Sequence, residues 1–220
     1  QAAVSTLPKL PLVGTQAEPA RRVYELEATT LSFENMHAHG ELFANIFRAR
    51  RQSFIVQKNW NLPESLGMEY DQYDTPASRW IAVHDHGEVL GGMRLTPTTS
   101  RCGIYSYMIR DAQRGLLDTI PFDLLDEEAP IDPHIWESTR VFVSHNAPMT
   151  IRRRIHAMMV DEMIRAAREN GATQIIALTA GNWQRWYGRC GLSAKAIGPM
   201  MKIDDGLFQC VLIYATVKLH

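Results

Sequence analysis

Apolar positions along the chain fall into two rhythms. Alternating or short continuous apolar runs mark strands at 21–28 (RRVYELEA), at RWIAVHD and EVLGGMRLTP on either side of a turn over Asp85 to Glu88, at WESTRVFVS from Trp136, at TQIIALTA from Thr173 and at LFQCVLIYATV from Leu207. Gly87 supplies the backbone freedom that a tight hairpin needs. Helical spacing governs the segment from Ser32 to Val56, where Leu42, Ile46, Phe47, Phe54 and Ile55 fall on one side and Ser32 is placed as the cap. The clearest helix is TIRRRIHAMMVDEMIRAARENG, with a stripe of Ile151, Ile155, Met158, Met159 and Ile164 and with Gly171 at its end. NWQRWYGRCG reads as a short helix, and residues 101–133 as short helices among acidic and proline-containing loops. Strand and helix signals alternate, with no repeat and no linker after residue 30. This pattern predicts an α/β fold, a single mixed sheet flanked by helices, with the last strand inside the sheet. Residues 1–20, which start at Gln rather than Met, read as a proline-containing lead-in to a domain over 21–220.

Composition narrows the partners. The 220 residues carry 23 Lys and Arg against 24 Asp and Glu, a net charge of -1, which excludes whole-surface attraction to nucleic acid or an anionic membrane. No apolar run is long enough for a signal segment or a membrane span. Cys102, Cys190 and Cys210 lack metal-ligand spacing and cannot all pair, which points to a reducing cytoplasm. Charged recognition in such a chain is local.

Local charge gathers in GMEYDQYD, residues 67–74, which holds Glu69, Asp71 and Asp74. Acids so close repel one another unless cations stand near. Arg50 lies between Phe47 and Phe54 on one helix face, and Arg94 sits in GGMRLTP, so a buried ionic network is expected. The competing reading makes Arg50 a snorkelling residue at the core edge. The acid spacing does not make an EF-hand loop, and nothing marks one acid as the raised partner of a glycosidase pair. His84, His86 and Glu88 in the hairpin turn read as polar residues facing solvent rather than metal ligands. Glu137 and Arg140, in ESTR, are three apart and share a site only if their strand bulges; otherwise they point to opposite sides. Arg152, Arg153 and Arg154 open a helix, where the macrodipole disfavours cations, so they await an acidic partner or form a solvated face.

Taken in order, RARRQSF, Trp60, GMEYDQYD, GGMRLTPT and WESTRVFV resemble the acyl-homoserine-lactone synthase family of bacterial quorum sensing, the LuxI type, over roughly residues 40–200. The resemblance implies an N-acetyltransferase-like (GNAT-like) fold with an acyl-binding cleft. It implies S-adenosylmethionine as a substrate, a second substrate that is an acyl chain on acyl carrier protein or coenzyme A, and neither metal nor other cofactor. Arg50, Phe54, Trp60, Glu69, Asp71, Asp74 and Arg94 match the family's positions around S-adenosylmethionine, and Glu137 and Arg140 match its catalytic positions, with Glu137 as the base. SHNAPMTIRRRI has no glycine where ordinary acetyl-coenzyme A transferases place a pyrophosphate loop, which disfavours a generic acetyltransferase. Arg152 to Arg154 suit an acidic carrier protein. Phe142, Met158, Met159, Met163, Ala177, Leu178 and Trp183 are the positions for an acyl tunnel, though core packing explains them equally well. Ala177, at the position where some 3-oxo-preferring relatives carry threonine, implies an unsubstituted chain; Thr179 lies two positions on. An N-acyl amino acid synthase and a non-catalytic acyl-binding module remain alternatives.

Overall fold

In a computed structural model, residues 20–216 are described, so all of the lead-in except Ala20 lies outside them. The chain runs β1 (Leu26–Leu31), a 3-10 turn (Met36–His39), α1 (Leu42–Arg50), a π-helical turn (Arg51–Gln57), the small hairpin β2 (Glu64–Ser65) and β3 (Met68–Glu69), β4 (Arg79–Asp85) and β5 (Glu88–Pro97). There follow α2 (Met108–Gln113), β6 (Ile135–Val143), α3 (Met149–Glu169), β7 (Gln174–Ala180), α4 (Trp183–Arg189), β8 (Ala194–Ala196), β9 (Met201–Ile203) and β10 (Gly206–Tyr214). One sheet takes the order β1-β4-β5-β6-β7-β10-β8, with β9 also on β10. Every pairing in it is antiparallel except β6 with β7. This is the mixed sheet expected, with β10 inside it.

The β4-β5 hairpin turns through His86 and Gly87, both at positive φ (46° and 89°), a geometry matching the twist of the flanking strands. α3 covers one face of the sheet through Ile155, Met159, Met163, Ala166 and Ala167, whereas Ile151, Met158 and Ile164 are only half-buried. On the opposite face lie two apolar clusters. One gathers Phe47, Phe54, Trp80 and Phe142 under α1, and the other gathers Tyr107, Ile109, Ile176 and Leu212 under α2.

Two expectations for the N-terminal part need correction. The first strand is shifted to Leu26–Leu31, and the helix expected from Ser32 starts only at Leu42. Ser32 does not cap it: its amide donates to Asn35 Oδ1 at 2.8 Å, and Gly40 adopts a left-handed φ of 56°, which breaks the helical path.

Two features of β6 create a site. It pairs with β7 only over Ile135 to Ser138, opposite Gln174 to Ala177; beyond this β6 stays with β5 and β7 with β10, so the sheet forks. The β5-β6 register shifts between Gly92 and Arg94: Met93 alone stands opposite Arg140 and Val141, and Arg140 takes φ 55°. This is the bulge that ESTR required. Gly92 makes the close approach possible, because a Cβ there would lie 2.8 Å from Ile81 O and 3.1 Å from a Phe142 ring carbon. Gly92→Ala should therefore cost about 1–3 kcal/mol in denaturant unfolding; an unchanged midpoint would show that the strand relaxes freely.

Candidate active site

The bulge turns Arg140 to the face that already carries Glu137, Thr139 and Arg94, between the two apolar clusters. There the β3 end and the following loop bring the acids. Glu69 accepts from Arg50 Nε at 2.5 Å and from Arg140 Nε at 2.9 Å. Asp74 takes Arg50 through two nitrogens at 2.7 and 2.9 Å. Asp71 takes Arg94 at 2.5 and 3.1 Å and Arg140 at 3.0 Å. Three acids and three arginines thus neutralise one another while nearly out of water, and Arg140, at 11% exposure, is the most open of the three cations. Burial alone would push the Asp74 carboxyl up; Arg94 and Arg50 win and hold it below the ordinary carboxylate range. Each of the three acids thus already accepts from at least one arginine in this arrangement.

Glu137 differs. It is completely buried and has no ion pair among the described residues; Oε1 accepts from the Met108 amide at 3.1 Å and Oε2 from the Ile109 amide at 2.8 Å, at the start of α2. Burial pushes its carboxyl up to about 7, with the Ile109 amide, Arg94 and the Met108 amide opposing part of that rise. A carboxylate poised near neutrality can take a proton and return it, which fits a general base. Glu137 lies one residue inside the fork, paired with Ile176.

Phe54 and Trp60 stack at 5.2 Å between centroids and 18° between planes. Lys58 Nζ sits 5.1 and 5.0 Å from their centroids and Arg140 Cζ sits 5.7 Å from that of Phe54, so this aromatic pair already accommodates cations. A cleft of about 390 Å³ adjoins the network, walled by Phe43, Phe47 and Trp80 and bordered by Asp71 and Asp74.

The structure brings together Arg50, Glu69, Asp71, Asp74, Arg94 and Arg140, with Phe54, Trp60 and Glu137 around them. It does not bring together the expected acyl-chain set. Ala177, Met159 and Trp183 pack in the cluster under α3, with Met158 and Met163, whereas Phe142 and Leu178 face the other side. The sheet separates them because successive strand residues point oppositely. Arg152 to Arg154 also divide: Arg152 Nη1 donates to Ser144 O at 2.9 Å and Ala147 O at 3.3 Å and is half-buried, whereas Arg153 and Arg154 are exposed. His84 is buried rather than at the surface, bonded to Thr29 Oγ1 and accepting from the Gly87 amide. Among the described residues no three His, Cys, Asp or Glu side chains are grouped to hold a metal ion, and no helix is long and apolar enough to cross a membrane.

Some contributors were not singled out in the sequence. Trp80 Nε1 donates to Asp74 at 2.9 Å, Thr139 Oγ1 accepts from Arg94 Nε at 3.0 Å, and Tyr73 OH donates to the buried Asp111 at 2.8 Å, tying the acidic loop to α2. Only Trp80, a bulky aromatic opening a strand beside the acids, carried any local signal.

Comparison with known proteins bears on the family and the fold. A family model described as autoinducer synthase matches residues 34–213. The acyl-homoserine-lactone synthase of Pseudomonas aeruginosa is 26% identical over 181 residues, 81% of each chain. That of Acinetobacter nosocomialis is 27% identical over 82% of this chain and 96% of its own. Among solved structures, TofI in a ternary complex with an inhibitor and MTA aligns with TM-score 0.68 at 26% identity, covering 86% of this chain and 91% of TofI. The synthase LasI aligns at 0.72 with 22% identity, over 88% and 92%. The chain belongs to the autoinducer synthase family of acyltransferase enzymes.

Proposed function

We propose that this protein makes an N-acyl-L-homoserine lactone from S-adenosylmethionine and an acyl thioester. The observation that carries the reading is Glu137, a buried carboxylate with no ion pair among the described residues, pushed up to about 7 beside the fork of the sheet. In the first step Glu137 takes a proton from the substrate's α-ammonium, directly or through one water, and the freed amine attacks the thioester carbonyl, forming the amide and releasing the thiol. Backbone amides along the forked strands steady the oxyanion. In the second step the substrate's own carboxylate attacks the carbon beside the sulfonium, the C–S bond breaks, and the lactone and methylthioadenosine part. Holding the two ends of the substrate folded together supplies much of this rate. Phe54 and Trp60 take the sulfonium region, and Arg140 is the arginine best exposed to receive the carboxylate.

Incubation with S-adenosylmethionine and a panel of acyl carrier protein and coenzyme A thioesters, read by mass spectrometry, tests the reading. Coupled appearance of lactone and methylthioadenosine supports it. Acyl transfer without methylthioadenosine points to an acyl amino acid synthase instead, and no reaction with any donor favours a binding module.

Acyl carrier protein is the donor we favour, since the exposed Arg153 and Arg154 suit an acidic carrier surface, and these substrates place the reaction in the cytoplasm. Arg153→Glu with Arg154→Glu should raise the KM for the carrier thioester about 10-fold at low salt and flatten its salt dependence. An unchanged KM would make the two arginines merely solvated.

A further inference from the structure

Thr96 stands directly opposite Glu137 in the β5-β6 register, so the two side chains share a face, with Cβ atoms about 5 Å apart. It is 1% exposed, and its Oγ1 has no hydrogen-bond partner among the described residues. The neighbouring threonine hydroxyls on that face are engaged. Thr98 Oγ1 donates to Asp132 O at 2.7 Å, and Thr139 Oγ1 accepts from Arg94 at 3.0 Å. A valine would fill the same space and suit a strand as well, without burying an unpaired hydroxyl. A local mismatch of this kind is expected where a site needs it.

The groups around Glu137 leave one gap in its hydrogen bonding. Its two α2 amides only donate, so they serve the charged carboxylate and offer nothing to the proton of the neutral acid. The titratable and charged groups facing it are Arg94 from β5, Asp71 and Tyr73 from the acidic loop, Tyr107 before α2 and Cys210 from β10. Arg94 and Asp71 hold each other, Tyr73 OH is given to Asp111 and Tyr107 OH to Pro130 O, and burial keeps the Cys210 thiol neutral, pushed up to about 12. A rotatable hydroxyl both donates and accepts.

We propose that Thr96 is a positioning residue for Glu137: directly or through one shared water, its hydroxyl donates to the carboxylate and turns to accept from the carboxylic acid once Glu137 has taken the substrate's proton. Thr96 keeps its own proton throughout; the one that moves travels from the substrate ammonium to Glu137. The inference rests on Glu137 being the base.

The test compares Thr96→Val and Thr96→Ser with the wild-type enzyme. Glu137 is titrated through the infrared carbonyl band of its protonated form, assigned by the loss of that band in Glu137→Gln. Since a charge-assisted bond is the stronger one, the valine variant should raise this midpoint and the rising limb of kcat by about one pH unit. It should lower kcat about 5-fold at pH 7 and leave the KM for S-adenosylmethionine and the melting temperature unchanged, or the latter higher. The serine variant should restore the wild-type values. An infrared midpoint identical in valine variant and wild type overturns the proposal, as does a destabilised valine variant whose midpoint has not moved. Full turnover in Glu137→Gln would remove the base reading instead, while the infrared midpoint still reports whether Thr96 touches Glu137.

Discussion

Glu137→Gln should lower turnover about 100- to 10,000-fold, the usual contribution of a positioned general base, while S-adenosylmethionine binding stays within a few-fold of wild type. The wild-type rate should rise with pH through about 7, because the base works only when deprotonated. Stability moves the other way. The folded-state value lies above the ordinary 4.5, so the folded protein holds this proton longer than the unfolded chain, and the group's contribution to stability falls as pH rises from about 4.5 to 7. The full difference is on the order of 3 kcal/mol. Glutamine cannot ionise and escapes this loss, although its NH2 faces an α2 amide that formerly donated to Oε1 or Oε2. Between pH 5 and 8 the melting temperature of the variant should therefore gain on that of the wild type. A flat difference across that range, or unchanged turnover, would remove Glu137 from the role of neutral-pH base.

Arg94→Met should be the more damaging change to the fold. Arg94 is completely buried, holds Asp71 through two nitrogens, reaches Asp74 at 3.1 Å and anchors Thr139. Removing one partner of a buried network leaves uncompensated charge, which costs about 3–5 kcal/mol. The loss should depend on pH with a defined sign. Asp74 is held below the ordinary range in the folded state, so its contribution is present above about pH 4 and disappears on acidification. The gap between wild type and Arg94→Met, measured by urea unfolding, should be full at pH 7 and shrink toward pH 3. Arg94 also opposes the rise at Glu137, so the rising limb of the rate should move to higher pH in any variant molecules that remain folded. A loss under about 1 kcal/mol would mean that water already screens the network.

Both expectations depend on contacts of unequal visibility in the sequence. The pairing of GMEYDQYD with Arg50 and Arg94 was legible because three close acids in an almost neutral chain must find cations, and few lay on apolar segments. The bulge at Arg140 was legible as a condition, since strand alternation forbids Glu137 and Arg140 on one face without it. The acyl-chain set was not legible, for the converse reason: apolar residues on neighbouring elements look alike in sequence, and which side of the sheet each one faces is decided only by the fold. The long N-terminal helix was overread because apolar spacing continues across Gly40, whose left-handed backbone ends it.

By itself the sequence determined the class of fold, the strands and helices that carry strong periodicity, and the list of charges that must be paired, all of which follow from local spacing and charge balance; the family came from the resemblance of its motifs. Only the tertiary structure decided which arginine meets which acid, where the sheet forks, and that Glu137 is left to two α2 amides with Thr96 opposite it. Those outcomes join residues up to 71 positions apart, as in Arg140 with Glu69, and the proton affinity of a carboxyl depends on burial and neighbours that no local window of the chain contains.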